Sequence, residues 1–283
     1  MFIVVESGST KADWMVVDGN HESAYSTKGF NPYFHSREDI LRELVAHEEL
    51  NSIKDQVKEI FFYGASCSSD SLNQIIEDGL SSFFLTADTF VGHDLDASAY
   101  ACYNGKPEIA CIIGTGSNSG YYDGGMVEEV VPALGHILGD EASGNYFGKR
   151  ILADYLYKRL PAELHDDLHS AGHTKETIID NVYRKPDANV YIASFMPFLI
   201  RNKSLDYCQE LIKSGIQEFI DTHVKCFINY RECEVNFVGS LAELMRDELL
   251  EVCESNQITV GRIIRRPLGH LVEYHKNLKA TSI

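Results

Sequence analysis

The residues best suited to chemistry in this chain are small ones in two turns. Gly114-Thr115-Gly116-Ser117-Asn118 follows the apolar run Ile109–Ile113, and Ser7-Gly8-Ser9-Thr10-Lys11 follows Phe2–Val5. A turn of Gly, Ser and Thr offers backbone N–H groups and hydroxyls with little side-chain bulk, which is what a phosphate needs. The P-loop spacing of four residues between glycines, followed by Gly-Lys, is absent from both. The dinucleotide fingerprint also fails, because Ser119 stands where its third glycine belongs. In those motifs the glycine turn opens a helix. Here Ser119–Tyr122 leads instead to an Asp123-Gly124 hairpin signal, and Trp14–Val17 leads to Asp18-Gly19. Strand, small-residue loop, strand, Asp-Gly thus occurs twice, roughly a hundred residues apart. Two such loops could hold a polyphosphate between them.

Four further stretches carry candidate groups. Asp94, in His93-Asp94-Leu95-Asp96, falls where the strand Thr89–Gly92 ends and a helix begins. A carboxylate there can accept a hydroxyl proton, favoured as an anion by the helix N–H groups, or it can simply cap the helix. Asp96, at the second helical position, is expected to face away. Leu138-Gly139-Asp140-Glu141 places two acids at an expected helix start, where they are caps or ligand contacts. Gly29-Phe30-Asn31-Pro32 is a turn between strand and helix. Gly239-Ser240-Leu241-Ala242 follows the strand Glu234–Val238 and lets backbone approach a planar ligand. His165, His169 and His173 are spaced four apart, but Gly172 argues against the continuous helix that a zinc site would need. None of the seven cysteines forms CxxC or a cluster-type spacing.

The two loops together resemble the phosphate-1 and phosphate-2 loops of the superfamily of sugar kinases, actin and heat-shock chaperone ATPases. GTGSN, the GHILGDEAS stretch at Gly135–Ser143 and GFNP at Gly29–Pro32 resemble the N-acetylglucosamine kinases and BadF/BadG/BcrA/BcrD-type ATPases, over nearly the whole chain. The resemblance implies an α/β protein of two similar domains of the actin-like ATPase (ribonuclease H-like) type with a nucleotide cleft between them. It implies ATP and Mg2+ as cofactors and an amino sugar as substrate, first of all N-acetylglucosamine phosphorylated to its 6-phosphate. Asp94 would be the general base. Ser9, Thr10, Lys11, Gly114, Thr115, Gly116 and Ser117 would hold phosphates, with Gly239 and Ser240 at the adenosine. Asn31, Asn118, Asp140 and Glu141 would surround the sugar. Glu6 would serve the Mg2+, directly or through water, at a position where the family carries Asp. Ala133-Leu134-Gly135 stands where the family has a tryptophan before the glycine, and Ser240 replaces a second glycine. Two other readings stay open. One is a partner-activating ATPase of the benzoyl-CoA reductase activator type; the other is a sugar or nucleotide sensor with weakened chemistry.

The elements that must position these groups alternate strands with helices, twice over. Three strands are expected over 2–28, then a helix after Ser36, a strand at Lys58–Tyr63, and a helix at Asp70–Leu80. A further helix spans Asp94–Tyr103 and stops at Asn104-Gly105-Lys106-Pro107. That stop separates an N-terminal domain, 1–107, from a C-terminal domain, 108–283. Met126–Val131 reads as a strand, and Glu141–Arg159, Pro161–His169, Thr174–Tyr183 and Ser204–Tyr230 as helices. Ile258–Ile264 is the last strand. The resemblance implies that the last helix, about 268–276, packs back on the first domain. A net charge of −17 over 283 residues argues against a nucleic-acid footprint. No apolar run approaches a membrane span, and the chain enters a strand at Phe2 without a signal sequence. With scattered cysteines, this is the pattern of a cytoplasmic protein. Whether the chain pairs as a homodimer stays open.

Overall fold

Strand β1 (Phe2–Ser7) carries Ile3, Val4 and Val5, all without solvent exposure. A strand that is apolar on both faces belongs in the middle of a covered sheet. It pairs antiparallel with β2 (Lys11–Asp18), which pairs with the polar edge strand β3 (His21–Lys28). Helix α1 (Arg37–Ala46) begins at Ser36, whose hydroxyl accepts from the Asp39 N–H while Asp39 reaches back to Ser36. After α2 (Glu48–Ile53), a short helix the periodicity did not announce, come β4 (Glu59–Gly64), α3 (Asp70–Phe83), β5 (Asp88–His93) and α4 (Asp94–Cys102). The sheet order is β3-β2-β1-β4-β5. Ile3, Val5, Trp14, Ile60 and Phe62 form one core with Ile40, Leu44, Ile76 and Leu80 of α1 and α3. On β4 the alternate residues face elsewhere: Phe61 stacks on His275 of the C-terminal helix, Leu268–Thr281, at 3.8 Å between ring centroids. A computed structural model describes residues 1–8 and 11–281, and the chain divides into one unit of Met1–Cys102 with the segment from Arg266, and a second of Tyr103–Arg265.

The second unit repeats the pattern. Its strands β6 (Glu108–Ile113), β7 (Ser117–Tyr122), β8 (Glu234–Val238) and β9 (Val260–Ile264) lie in the order β7-β6-β8-β9. An antiparallel ribbon is followed by two parallel neighbours, as β2-β1-β4-β5 is in the first unit. The strand expected at Met126–Val131 does not form. That segment gives a single bridge, Tyr121 with Glu128, and leaves Met126 and Val130 exposed. The Gly124-Gly125 turn before it and Pro132 after it allow no longer ladder.

Helices α5 (Gly135–Leu138), α6 (Gly144–Leu156), α7 (Ala162–Ser170), α8 (Lys175–Tyr183), α9 (Ala188–Ala193), α10 (Met196–Arg201), α11 (Asp206–Phe219), α12 (Ser240–Leu244) and α13 (Arg246–Ser255) complete this unit. Helix α6 starts at Gly144, three residues later than expected, because Asp140 and Ala142 hold left-handed backbone (φ 63° and 58°) and Ser143 caps the Tyr146 N–H. The long helix expected over Ser204–Tyr230 stays α-helical only to Phe219. It continues as a π-helical turn, Ile220–Val224.

One buried carboxyl at the foot of β6 ties pH to stability. Glu108 is 1% exposed and accepts from Asn236 Nδ2 at 3.1 Å. Burial pushes it up to about 8, with Glu234 adding and Arg262 opposing. The folded state therefore keeps a proton that the unfolded chain releases near pH 4.5, so stability falls as pH rises from there through about 8. Glu108→Gln should flatten that decline and stabilise the protein at pH 8.5 by on the order of a few kcal/mol, read as a higher melting temperature. Parallel melting curves for parent and variant from pH 5 to 9 would remove Glu108 as the cause.

Candidate active site

In the first unit the candidate groups gather at the ends of β1, β4 and β5. The turn after β1 is closed by the Gly8 N–H donating to the Lys11 carbonyl at 2.9 Å; Ser9 and Thr10 lie outside the described residues. Lys11 pairs with Asp13 at 2.6 Å. Glu6 sits opposite Asp13 on β2 and beside Tyr63 on β4. Burial pushes its carboxyl up to about 7, Asp13 and Asp94 add to the rise, and Arg266 and Lys11 offset part of it. Like charges across a strand pair are destabilising, so this carboxylate is ionised comfortably only with a cation nearby. Hard carboxylate oxygens fit Mg2+. Among the described residues no three or more His, Cys, Asp or Glu side chains form a metal group. A metal at Glu6 would therefore draw most of its oxygens from water and phosphate.

Asp94 opens α4, but it is Asp96 that caps the helix. Asp96 is the third helical residue, not the second, and its Oδ2 accepts from the His93 N–H at 2.9 Å. Asp94 is thus the first helical residue rather than the residue before the helix, and Asp96 turns back onto the His93 N–H. Asp94 Oδ1 lies 3.2 Å from His93 Nε2, and its side chain keeps 36% exposure. Asn31 is buried; its Oδ1 accepts from the Tyr33 N–H at 2.9 Å and its Nδ2 donates to Ser66 Oγ at 3.4 Å.

In the second unit the glycine loop between β6 and β7 is pinned by its neighbours. Gly114 N–H donates to the Gly116 carbonyl at 2.9 Å. The first N–H groups of α6 are taken by the loop itself: Gly144 donates to the Gly114 carbonyl at 2.9 Å and Asn145 to that of Thr115 at 3.1 Å. Asp140 Oδ1 accepts from the Ser117 N–H at 3.4 Å and Oδ2 from Asn145 Nδ2 at 2.9 Å. Burial pushes the Asp140 carboxyl up, and those two hydrogen bonds oppose the rise. Asn118 is buried, with Nδ2 donating to Glu129 Oε1 at 2.7 Å. Glu141 meets His223 at 3.1 Å. Lys149 holds the carbonyls of His136 and Gly139.

Gly239 ends β8 with φ 133°, and Ser240 is the first residue of α12. Here a cavity of about 540 Å³ joins two of the predicted loops, with Thr115 and Ser240 in one lining beside Met196, Ile200, Leu244 and Arg265. The last four were not legible beforehand, because they come from α10, α12 and the end of β9, and no local pattern marks them. The three histidines do not form a metal site: α7 ends at Ser170, and Gly172 turns with φ 84°.

A solved structure from Porphyromonas gingivalis, provisionally named an N-acetylglucosamine kinase, is 30% identical to this chain. The match covers 98% of this chain and 99% of that one, with a TM-score of 0.92. The chain belongs to the sugar kinase family of the actin-like ATPase superfamily. A second provisionally named N-acetylglucosamine kinase, from Chromobacterium violaceum, shares the fold of this family member at 16% identity, over 96% of this chain and 98% of that one, with a TM-score of 0.71. A ROK family glucokinase from Streptomyces griseus, solved with glucose and AMPPNP, shares the sugar kinase fold at 15% identity, over 98% of each chain, with a TM-score of 0.55. No family model matches the sequence, and no curated protein matches it. No described helix of this sugar kinase family member is long and apolar enough to cross a membrane.

Proposed function

We propose that this protein transfers the γ-phosphoryl group of ATP to a hydroxyl of an amino sugar, with N-acetylglucosamine at its 6-hydroxyl as the first candidate. The observation that carries the reading is the cavity lined by both Thr115 and Ser240. A glycine-rich loop at one end suits phosphates, and apolar Met196, Ile200 and Leu244 suit a base. The glucokinase of the same fold that holds glucose and AMPPNP supports ATP as the donor. We read the two units, with their repeated sheet topology, as the two domains of the actin-like ATPase pattern. Gly114–Ser117 and the Ser7–Lys11 turn would bind phosphates, and Gly239 and Ser240 the adenosine. Asn31, Asn118, Asp140 and Glu141 would contact the sugar. Asp94 would take the hydroxyl proton, and Glu6 would hold Mg2+, which neutralises phosphate charge. Six of the seven cysteines are buried, which offers little to a shared iron–sulfur cluster and leaves the partner-activating ATPase with less support.

The test is ADP release by the purified protein with ATP and Mg2+ against a panel of hexoses and hexosamines. N-acetylglucosamine should give the highest kcat/KM. ADP release that no sugar accelerates would overturn the kinase reading. Glu6 gives a second expectation. With its carboxyl near 7, the Mg2+ concentration for half-maximal rate should rise as pH falls below about 7, because the protonated acid cannot serve the metal. Glu6→Ala should raise that concentration strongly at every pH, and Glu6→Asp should restore activity. Identical Mg2+ titrations for all three proteins would take Glu6 away from the metal.

A further inference from the structure

The π-helical turn after α11 carries a histidine that none of the phosphate or sugar motifs accounts for. His223 is 2% exposed, and its ring stacks on Phe219 at 5.0 Å between centroids. Its Nε2 lies 3.1 Å from Glu141 Oε2. On the other side, Ser119 Oγ donates to the His223 carbonyl at 2.7 Å and lies 3.5 Å from Nδ1. A carboxylate only accepts, so the proton between ring and Glu141 sits on Nε2 whatever the ring's charge. A π-helical turn holds more residues than an α-helical one, which resets the angle at which the next side chains leave the axis. Such turns are rare and are found frequently at functional sites.

Glu141 itself lies between two non-glycine residues in left-handed backbone, Asp140 and Ala142. Backbone of that kind persists only where the surroundings over-determine it. Two carboxylates do so here. Asp140 is held by Ser117 and Asn145, and Glu141 by His223. We propose that His223 is a positioning residue for the acceptor sugar: it locks Glu141, and with it the Asp140–Ala142 turn, in the geometry that contacts the sugar, while Ser119 ties His223 to β7. This rests on the reading of Asp140 and Glu141 as sugar contacts. The hydrogen bonds of His223 run to Glu141 and Ser119, neither of which lines the Thr115–Ser240 cavity, so its effect falls on the sugar.

The experiment compares the parent with His223→Ala and His223→Gln. His223→Ala leaves Glu141 half-buried without its donor, and the KM for the sugar should rise about 10- to 100-fold. The KM for ATP and kcat should each change by less than about threefold. Glutamine can still donate to Glu141, so His223→Gln should recover most of the loss. Glu141→Gln added to His223→Ala should raise the sugar KM little further, because the two act as one unit. Equal rises in the KM for sugar and for ATP would mark general damage and overturn the proposal, as would an unchanged sugar KM. Hydrogen exchange on the ligand-free proteins gives an independent reading. His223→Ala should speed exchange at the amides of 140–143 while those of β6 stay as in the parent. Faster exchange at that turn in His223→Ala, with a parent that phosphorylates no sugar, would keep His223 as its anchor and remove the sugar reading beneath it. Unchanged exchange and unchanged sugar KM in an active kinase would sink the inference alone.

Discussion

Asp94→Asn should lower sugar phosphorylation by roughly a hundred- to ten-thousand-fold, the usual cost of losing a general base, while ATP affinity stays within about threefold. The substitution is nearly isosteric, and the His93 N–H at the helix start is held by Asp96. Folding should therefore survive. Asp94 combines exposure with a negative neighbourhood. Its charge is one of those that raise the Glu6 carboxyl, so Glu6 should ionise more readily in the variant. That gives a check beside the rate: the acid limb of the Mg2+ dependence should move to lower pH. Asp96→Asn is the paired control. It weakens the cap of α4, typically by about 1 kcal/mol, and should lower the melting temperature more than the rate. Steady-state rates with the best sugar, together with calorimetric ATP titrations, decide the matter. Near-normal turnover in Asp94→Asn, or a larger rate loss in Asp96→Asn, would move the base elsewhere.

What the sequence revealed follows from how local each signal is. The β1–β2 and β6–β7 ribbons were legible because an apolar run, a small-residue turn and an Asp-Gly pair sit within about twenty residues of one another. The Ser36–Asp39 capping box was legible for the same reason. Met126–Val131 misled because its apolar residues suit a strand, yet a strand needs a partner, and here only Tyr121 supplies one. The Asp140–Ala142 turn could not be foreseen, since acids and alanine at a helix start ordinarily continue the helix. Its left-handed backbone depends on Ser117, Asn145 and His223, which come from other elements. His223 shares the buried face of its turn with Ile220 and Val224, where a histidine is ordinarily a satisfied core residue. A histidine at helical spacing among those apolar residues was the one available signal. The cavity shared by Thr115 and Ser240 is non-local in the same sense: Met196, Leu244 and Arg265 meet only after α10, α12 and β9 have packed.

Gly239→Ala should destabilise the protein by on the order of 3 kcal/mol or more and abolish measurable ATP binding. Two independent costs add. At φ 133° an L side chain is strained wherever it finds itself. The added methyl would also be driven deep into the carbonyl of Ile113, backbone at the end of β6 that has no rotamer to retreat to. Gly239 is fixed further by its N–H donating to the Ile264 carbonyl at 2.8 Å, so it cannot simply swing away. Relief must come from moving β6, and β6 leads straight into Gly114 and the glycine loop. The same geometry explains why Ser240 can replace a glycine at the next position. Ser240 is already helical, the first residue of α12, where most side chains are tolerated. Ser240→Gly should therefore change the melting temperature by no more than about 2 °C. ATP affinity should change by less than about threefold in that variant, as only one hydroxyl contact is at stake. Thermal melts and ATP titrations of the two variants side by side test the assignment. A stable Gly239→Ala protein that binds ATP like the parent would mean that the turn after β8 has freedom the packing against Ile113 denies it, and the cavity's adenosine assignment would fall with it.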